Sequence, residues 1–352
     1  MAKKAEKSKK KEVQAWEVEL EKIVHELAKG QKPHRLPVIV DIFKAAAKLA
    51  QESPGTLNLK ITATTIKELR FSFKTFYAHR KRSKITMFGS ARVPADTPLY
   101  AFAKDFAKEA AKRKYMVITG GGPGIMAAGN EGAEEKGGFG LNIRLPFEQE
   151  HNPFIDSESM LIHYKYFFTR KLFLVKEANA FAFFPGGFGT FDEAFEVLTL
   201  LQTGKSNLIP VVLVEPKGFG FWTGFTKFMY GDVLTRGFIS EADKNLYRIF
   251  HSSKEALDHI DHFYSTYHSM RFTREFAVVR LKKTLKPAFL KKLNEKFGFL
   301  VKGKGEMKMS KALPEEGNEP ELAELPRLIF PFDRRDYGNL RAFIDFINDG
   351  AV

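Results

Sequence analysis

The chain has 352 residues, 44% of them hydrophobic and 28% charged, with a formal net charge of +14 and no cysteine. That composition suits a globular protein able to bury a sizeable core, and the lack of cysteine excludes disulfides, thiolate metal sites and a cysteine nucleophile together, as fits a reducing compartment. No stretch is apolar for long enough to span a bilayer, and the basic start MAKKAEKSKKKEVQ lacks the apolar segment of a signal peptide, so a soluble, cytoplasmic protein is expected.

Six of the first eleven residues are lysine, which marks 1–12 as a basic, disordered tail. A second basic cluster, HRKRSK, follows at His79 to Lys84. Such a balance attracts polyanions and small phosphate esters alike. There is no zinc-finger spacing and no RNA-recognition aromatic motif, so specific nucleic-acid binding is not expected. Residues 13–79 read as a helical N-terminal extension. Val13, Trp16, Leu20, Ile23, Val24 and Leu27 recur at helical spacing until Gly30 and Pro33 stop the pattern, and two further apolar-rich segments follow.

From Lys84 the rhythm changes to short apolar runs alternating with amphipathic helices. The strands expected are KITMF, YMVIT, FGLNI, AFAFF and LIPVVLV, with helical text between them and again from Gly218 to about Tyr267. Continuous apolar strands alternating with helices predict a Rossmann-like, doubly wound parallel sheet over 84–267, covered on both faces. Residues 268–352 form a C-terminal extension without an interpretable motif. MRFTREFAVVRL is ambiguous between strand and helix, and KGKGEMKMSKALPEEGNEPELAELPR reads as a long loop or disordered stretch.

In a doubly wound sheet, ligands bind where loops leave the carboxyl ends of the strands. Three such loops have suitable chemistry: GSAR after the first strand, with Ser90; GGGPG after the second, with Gly121 and Gly122; and PGGFGT after the fourth, with Gly186, Gly187, Phe188, Gly189 and Thr190. Glycines let a backbone approach an anion, and the helix that follows offers free amides and a positive dipole end. Pro123 suits the first position of its helix. A strand-to-helix turn needing only glycine's freedom is the plain alternative for any one loop; three at one sheet edge point to an anion site. Neither glycine loop is a Walker A sequence or the spaced dinucleotide fingerprint, and no cofactor or metal is expected. Thr190 to Glu193 reads as a Thr-x-x-Glu capping box, yet two carboxylates, Asp192 and Glu193, beside an anion loop call for cations or for a task. Arg170 and Lys171, on the preceding helix, supply cations.

Together, TGGGPGIMAAGNEGA, FFTRKLFLV and PGGFGTFDEAFEVLTLLQTGK resemble the LOG family: cytokinin riboside 5'-monophosphate phosphoribohydrolases and related nucleotide nucleosidases, long labelled lysine decarboxylases. FGSARVP and GLNIRLPFEQEHNPF are similar to its bacterial branch. The resemblance covers about residues 84–265. It implies a catalytic pair, Arg170 and Glu193, and a substrate loop at Gly186 to Asp192. Lys171 and Glu148 fall on further substrate positions. Asp192 departs from the Glu common in the plant members. Hydrolysis of a nucleoside 5'-monophosphate in a homodimer or higher oligomer is the implied activity. Non-catalytic molybdenum-cofactor carriers of the same fold are the alternative. The decarboxylase label is not inherited, because no lysine here has a recognisable pyridoxal phosphate setting.

Overall fold

A computed structural model of the chain describes residues 2–52, 54–134, 137–144, 151–155, 160–303, 305–317 and 319–350. The chain divides into two compact units, Met1–Arg70 and Phe71–Val352. In the first, α1 (Ala2–Leu27) and α2 (Leu36–Gln51) pair through Lys44, whose ammonium lies 3.9 Å from Glu17 and 2.5 Å from Glu21, and through Lys48 at 3.1 Å from Glu17. Helix α1 takes in the lysine-rich start that the sequence marked as a disordered tail, since lysine, alanine and glutamate are good helix formers. A third helix, α3 (Thr56–Ala78), leads into the second unit.

The second unit alternates strands and helices: β1 (Lys84–Phe88), α4 (Pro98–Lys112), β2 (Met116–Thr119), α5 (Ile125–Ala133), β3 (Gly138–Ile143), β4 (Leu161–Tyr164), α6 (Phe167–Lys176), β5 (Ala180–Phe183), α7 (Phe188–Gln202), β6 (Val211–Val214), α8 (Phe221–Phe228), β7 (Arg248–Phe250) and α9 (Ser253–Phe263). Among the described residues the strands form one seven-stranded parallel sheet in the order β4-β3-β2-β1-β5-β6-β7. The fold is α/β and Rossmann-like, as the sequence predicted, with β4 and β7 added at the two edges. β7 interrupts the stretch read as helical. One face of the sheet packs Ile85, Met87, Val117, Val212 and Val214 against Phe106 of α4 and Leu257 and Ile260 of α9. On another side Phe76, from the end of α3, meets Phe139 of β3 at 4.7 Å and stacks on Phe173 of α6. Each central strand is buried along its whole length, which is why its sequence is continuously apolar.

The C-terminal extension folds into a second sheet. Its strands are β8 (Tyr267–Phe272), β9 (Ala277–Leu281), β10 (Lys308–Ser310) and β11 (Arg327–Phe330), antiparallel in the order β10-β11-β9-β8, with α10 (Pro287–Phe297) and α11 (Tyr337–Gly350). The ambiguous MRFTREFAVVRL is therefore a hairpin. The polar stretch read as a loop holds β10 and a buried Glu316, which accepts from Arg280 at 2.9 Å and from Arg327 at 3.1 Å. Helix α11 closes back on the α/β layer. Asn348 accepts from the backbone of Thr266 and Tyr267, and buried Arg341 donates to Ile209 O and Asp345.

Candidate active site

The chain enters the sheet at β1, moves outward through β2, β3 and β4, then returns to place β5 on the other side of β1. The strand order thus reverses between β1 and β5, the position where open α/β sheets bind ligands. Phe184 N donates to Phe88 O as the two strands leave the sheet, and Ser90 N donates to Pro185 O at 3.1 Å. Ile125 N donates to Ser90 O at 3.0 Å, so one residue ties all three candidate loops together. Gly124 makes this possible. Its φ is +65°, and a Cβ there would stand 2.3 Å from Ser90 O. Gly124 is also the N-cap of α5, which corrects the expectation that Pro123 occupies the first helical position.

A cavity of about 770 Å³ opens at this reversal, lined on one side by Ser90, Ala91 and Arg92 and on another by Gly187 to Glu193. Gly120, Gly122 and Met126 come from the β2–α5 connection, Asn142 from β3, and Phe167 and Arg170 from α6. Of the residues singled out in the sequence, Ser90, Gly122, Arg170, Gly187, Phe188, Gly189, Thr190, Asp192 and Glu193 line it together. Gly121, Gly186 and Lys171 are not among the lining residues, and Glu148 lies outside the described residues. Arg92, Met126, Asn142 and Phe167 are lining residues that the sequence reading passed over. Arg92 was legible within GSAR, whereas Asn142 sits in a strand with nothing in its pattern to mark it.

Helix α7 begins at Phe188 with Gly187 as N-cap, and Phe191 N makes the first intrahelical bond, to Gly187 O. The amides of Phe188, Gly189 and Thr190 therefore have no acceptor within the helix and face the end where the dipole is positive. This overturns the capping box. Thr190 is the third residue inside the helix, Glu193 is the sixth, and neither caps it. Glycine at the N-cap starts the helix three residues early, so Glu193 turns inward and is 7% exposed.

Arg170 reaches under the β2 loop, donating Nε to Leu141 O at 2.6 Å, with Nη2 at 3.4 Å from Gly120 O. Burial pulls its guanidinium down from the ordinary arginine value, and the nearby Glu193 pushes it back. Burial likewise raises the Glu193 carboxyl above the ordinary glutamate value, with Lys171 and Arg170 opposing and Glu196 and Asp192 adding to the rise. Glu193 Oε2 is buried and lies 3.5 Å from Lys171 Nζ, and no hydrogen bond reaches it among the described residues. The result is a carboxyl group poised to exchange a proton nearer neutral pH than a surface glutamate would.

Lys171 does not itself line the cavity but pairs with acids that do. Its ammonium lies 2.7 Å from Asp192 Oδ2 and 2.9 Å from Glu196 Oε2. Burial works against that charge, but the hydrogen bonds to Asp192 and Glu196 and the charge of Glu193 raise it above the ordinary lysine value. A lysine that forms a Schiff base must release its proton readily. Lys171 is held in the opposite state.

Residues 126–260 match the family model described as possible lysine decarboxylase. A cytokinin riboside 5'-monophosphate phosphoribohydrolase of Mycobacterium tuberculosis is 27% identical over 169 residues, 47% of this chain and 88% of that one. Both the family-model match and this relative support the α/β domain's likeness to the LOG family that the sequence motifs suggested. An Arabidopsis thaliana protein of the same name is 25% identical over 162 residues, covering 45% of this chain and 68% of its own. Among solved structures, the molybdenum cofactor carrier protein of Chlamydomonas reinhardtii aligns over 51% of this chain and 97% of its own, at 21% identity and a TM-score of 0.37. The family-model match ends at residue 260, before β8, β9, α10, β10, β11 and α11. No helix among the described residues is long and apolar enough to cross a membrane.

Proposed function

We propose that the protein hydrolyses the N-glycosidic bond of a nucleoside 5'-monophosphate, releasing the free base and ribose 5-phosphate. One observation carries the reading: Glu193, buried, raised in pKa and with an oxygen that accepts no hydrogen bond among the described residues, shares its cavity with the open amide end of α7. In this reading the amides of Gly187 to Thr190 hold the 5'-phosphate, and that binding energy positions the ribose. The C1'–N bond breaks with its electron pair going to the base, which takes up a proton. A water oxygen bonds to C1' and loses one. The ionised Glu193 offsets the positive charge that develops on the ribose ring and accepts the water's proton. Arg170, fixed by backbone carbonyls, presents its remaining N–H groups to negative charge on the departing base. The enzyme acts as a homodimer or larger assembly, a reading supported by Phe167, Phe168 and Leu172, which α6 leaves 44–54% exposed beside the cavity.

The test is incubation with AMP and chromatography for adenine, with Glu193→Gln as the paired variant. Release of adenine by the parent and its loss in the variant supports the reading. A carrier of the same fold would bind nucleotide and release no base.

A further inference from the structure

A 5'-phosphate brings about two negative charges to a cavity that already holds carboxylates. Asp192 and Glu193 line it, and Glu196 lies just behind. Of the other cations here, Lys171 is paired with those three acids, and Arg170, held by Leu141 O and Gly120 O, sets its single charge against Glu193 and its remaining N–H groups toward the base. Amides at one helix end carry about half a positive charge, and with the one charge of Arg170 this is too little to offset the phosphate and the carboxylates together.

Arg92 is the remaining cation of the lining. It is exposed, and among the described residues its guanidinium makes no ion pair. Its position is nevertheless defined. Arg92 N donates to Ser90 Oγ at 3.1 Å, and Ser90 N donates to Pro185 O at the turn that opens into α7. The loop carrying Arg92 is therefore fastened to the loop carrying the free amides.

We propose that Arg92 recognises the substrate's phosphate, closing its guanidinium fork over the group from the side opposite the α7 amides. The inference rests on the nucleotide reading of the cavity and extends it by naming the countercharge. A planar fork with five donors matches phosphate oxygens two at a time, whereas a lysine would offer only a point charge. An exposed arginine with no ion pair among the described residues gives none of those up when it swings onto the ligand.

The experiment compares the parent with Arg92→Gln and Arg92→Lys. Each is assayed with AMP and with adenosine, and titrated calorimetrically with ribose 5-phosphate. Arg92→Gln should reduce the preference for AMP over adenosine, and the affinity for ribose 5-phosphate, by about tenfold to a hundredfold, the scale of a lost hydrogen bond to a charged group. Arg92→Lys should recover part of both. Equal losses toward AMP and adenosine, or unchanged affinity for ribose 5-phosphate, would overturn the proposal. The two readings fail separately. A parent that binds ribose 5-phosphate through Arg92 but releases no adenine sinks the hydrolase and leaves this site standing; a parent that cleaves AMP with no change in Arg92→Gln sinks this site alone.

Discussion

Gly120, at the end of β2, sets how deeply Arg170 can reach. An alanine Cβ there would stand 2.2 Å from Arg170 Nη2 and 2.5 Å from Met126 Sδ. The backbone itself accepts alanine, because Gly120 is absent from the positive-φ positions. Ordinary contact begins at about 3.4 Å, so the guanidinium must retreat by about 1.2 Å, against a Leu141 bond only 2.6 Å long. Displacement of a positioned group by about 1 Å costs on the order of a hundredfold in rate, or about 2.7 kcal/mol of transition-state stabilisation. Gly120→Ala should therefore lower kcat/KM for AMP by about a hundredfold. The overpacking itself should cost about 1–3 kcal/mol of stability, a fall in Tm of a few degrees per kcal/mol or less. Adenine release measured at 25 °C, where the variant remains folded by circular dichroism, separates the two effects. In an Arg170→Ala background the same substitution should cost little more, because the two changes act through one side chain. Gly120→Ala with parental kcat/KM would refute the argument that Arg170 must stay where these carbonyls hold it.

Gly189 is the opposite case: a Cβ there meets nothing within 4 Å, so Gly189→Ala should raise Tm, alanine being about 0.5–1 kcal/mol better than glycine in a helix. The same methyl group occupies space offered to the phosphate, and KM for AMP should rise about tenfold, as for one lost charged hydrogen bond; an unchanged KM would move the phosphate off this loop. Glu193→Gln should lose base release yet melt no lower than the parent at pH 7. A carboxyl raised by burial contributes stability below the ordinary glutamate pKa near 4.5 and loses it as pH climbs through the folded value, so near neutrality the ionised side chain is a burden that Gln removes. In the parent, the acid limb of kcat/KM should accordingly lie above pH 4.5, and a limb at or below that value would contradict the burial of Glu193. Sedimentation at micromolar concentration should show at least a dimer, and a fully active species of monomer mass would leave the exposed face of α6 without its proposed partner.

The central strands, the glycine loops and the Arg-Lys and Asp-Glu pairs were legible in the sequence because each depends on local chemistry. A strand buried on both faces must be apolar throughout, and a backbone that meets an anion must lack side chains. β4 and β7 were missed for the converse reason. Edge strands of three or four residues, one of them half-buried throughout, carry no continuous apolar run. Glu316 read as a loop residue because nothing near it in sequence announces Arg280, which reaches it only through the pairing of β9 with β11. Arg170 and Lys171 are neighbours in sequence and read as one cationic pair, but successive residues on a helix point about 100° apart. One side chain enters the cavity and the other crosses to the acids of α7. Residue types and spacing thus determined what chemistry was present, whereas the return of β5 to the side of β1 decided which of those groups meet. Strand order is set by the packing of whole helices across the sheet, and no local pattern encodes it.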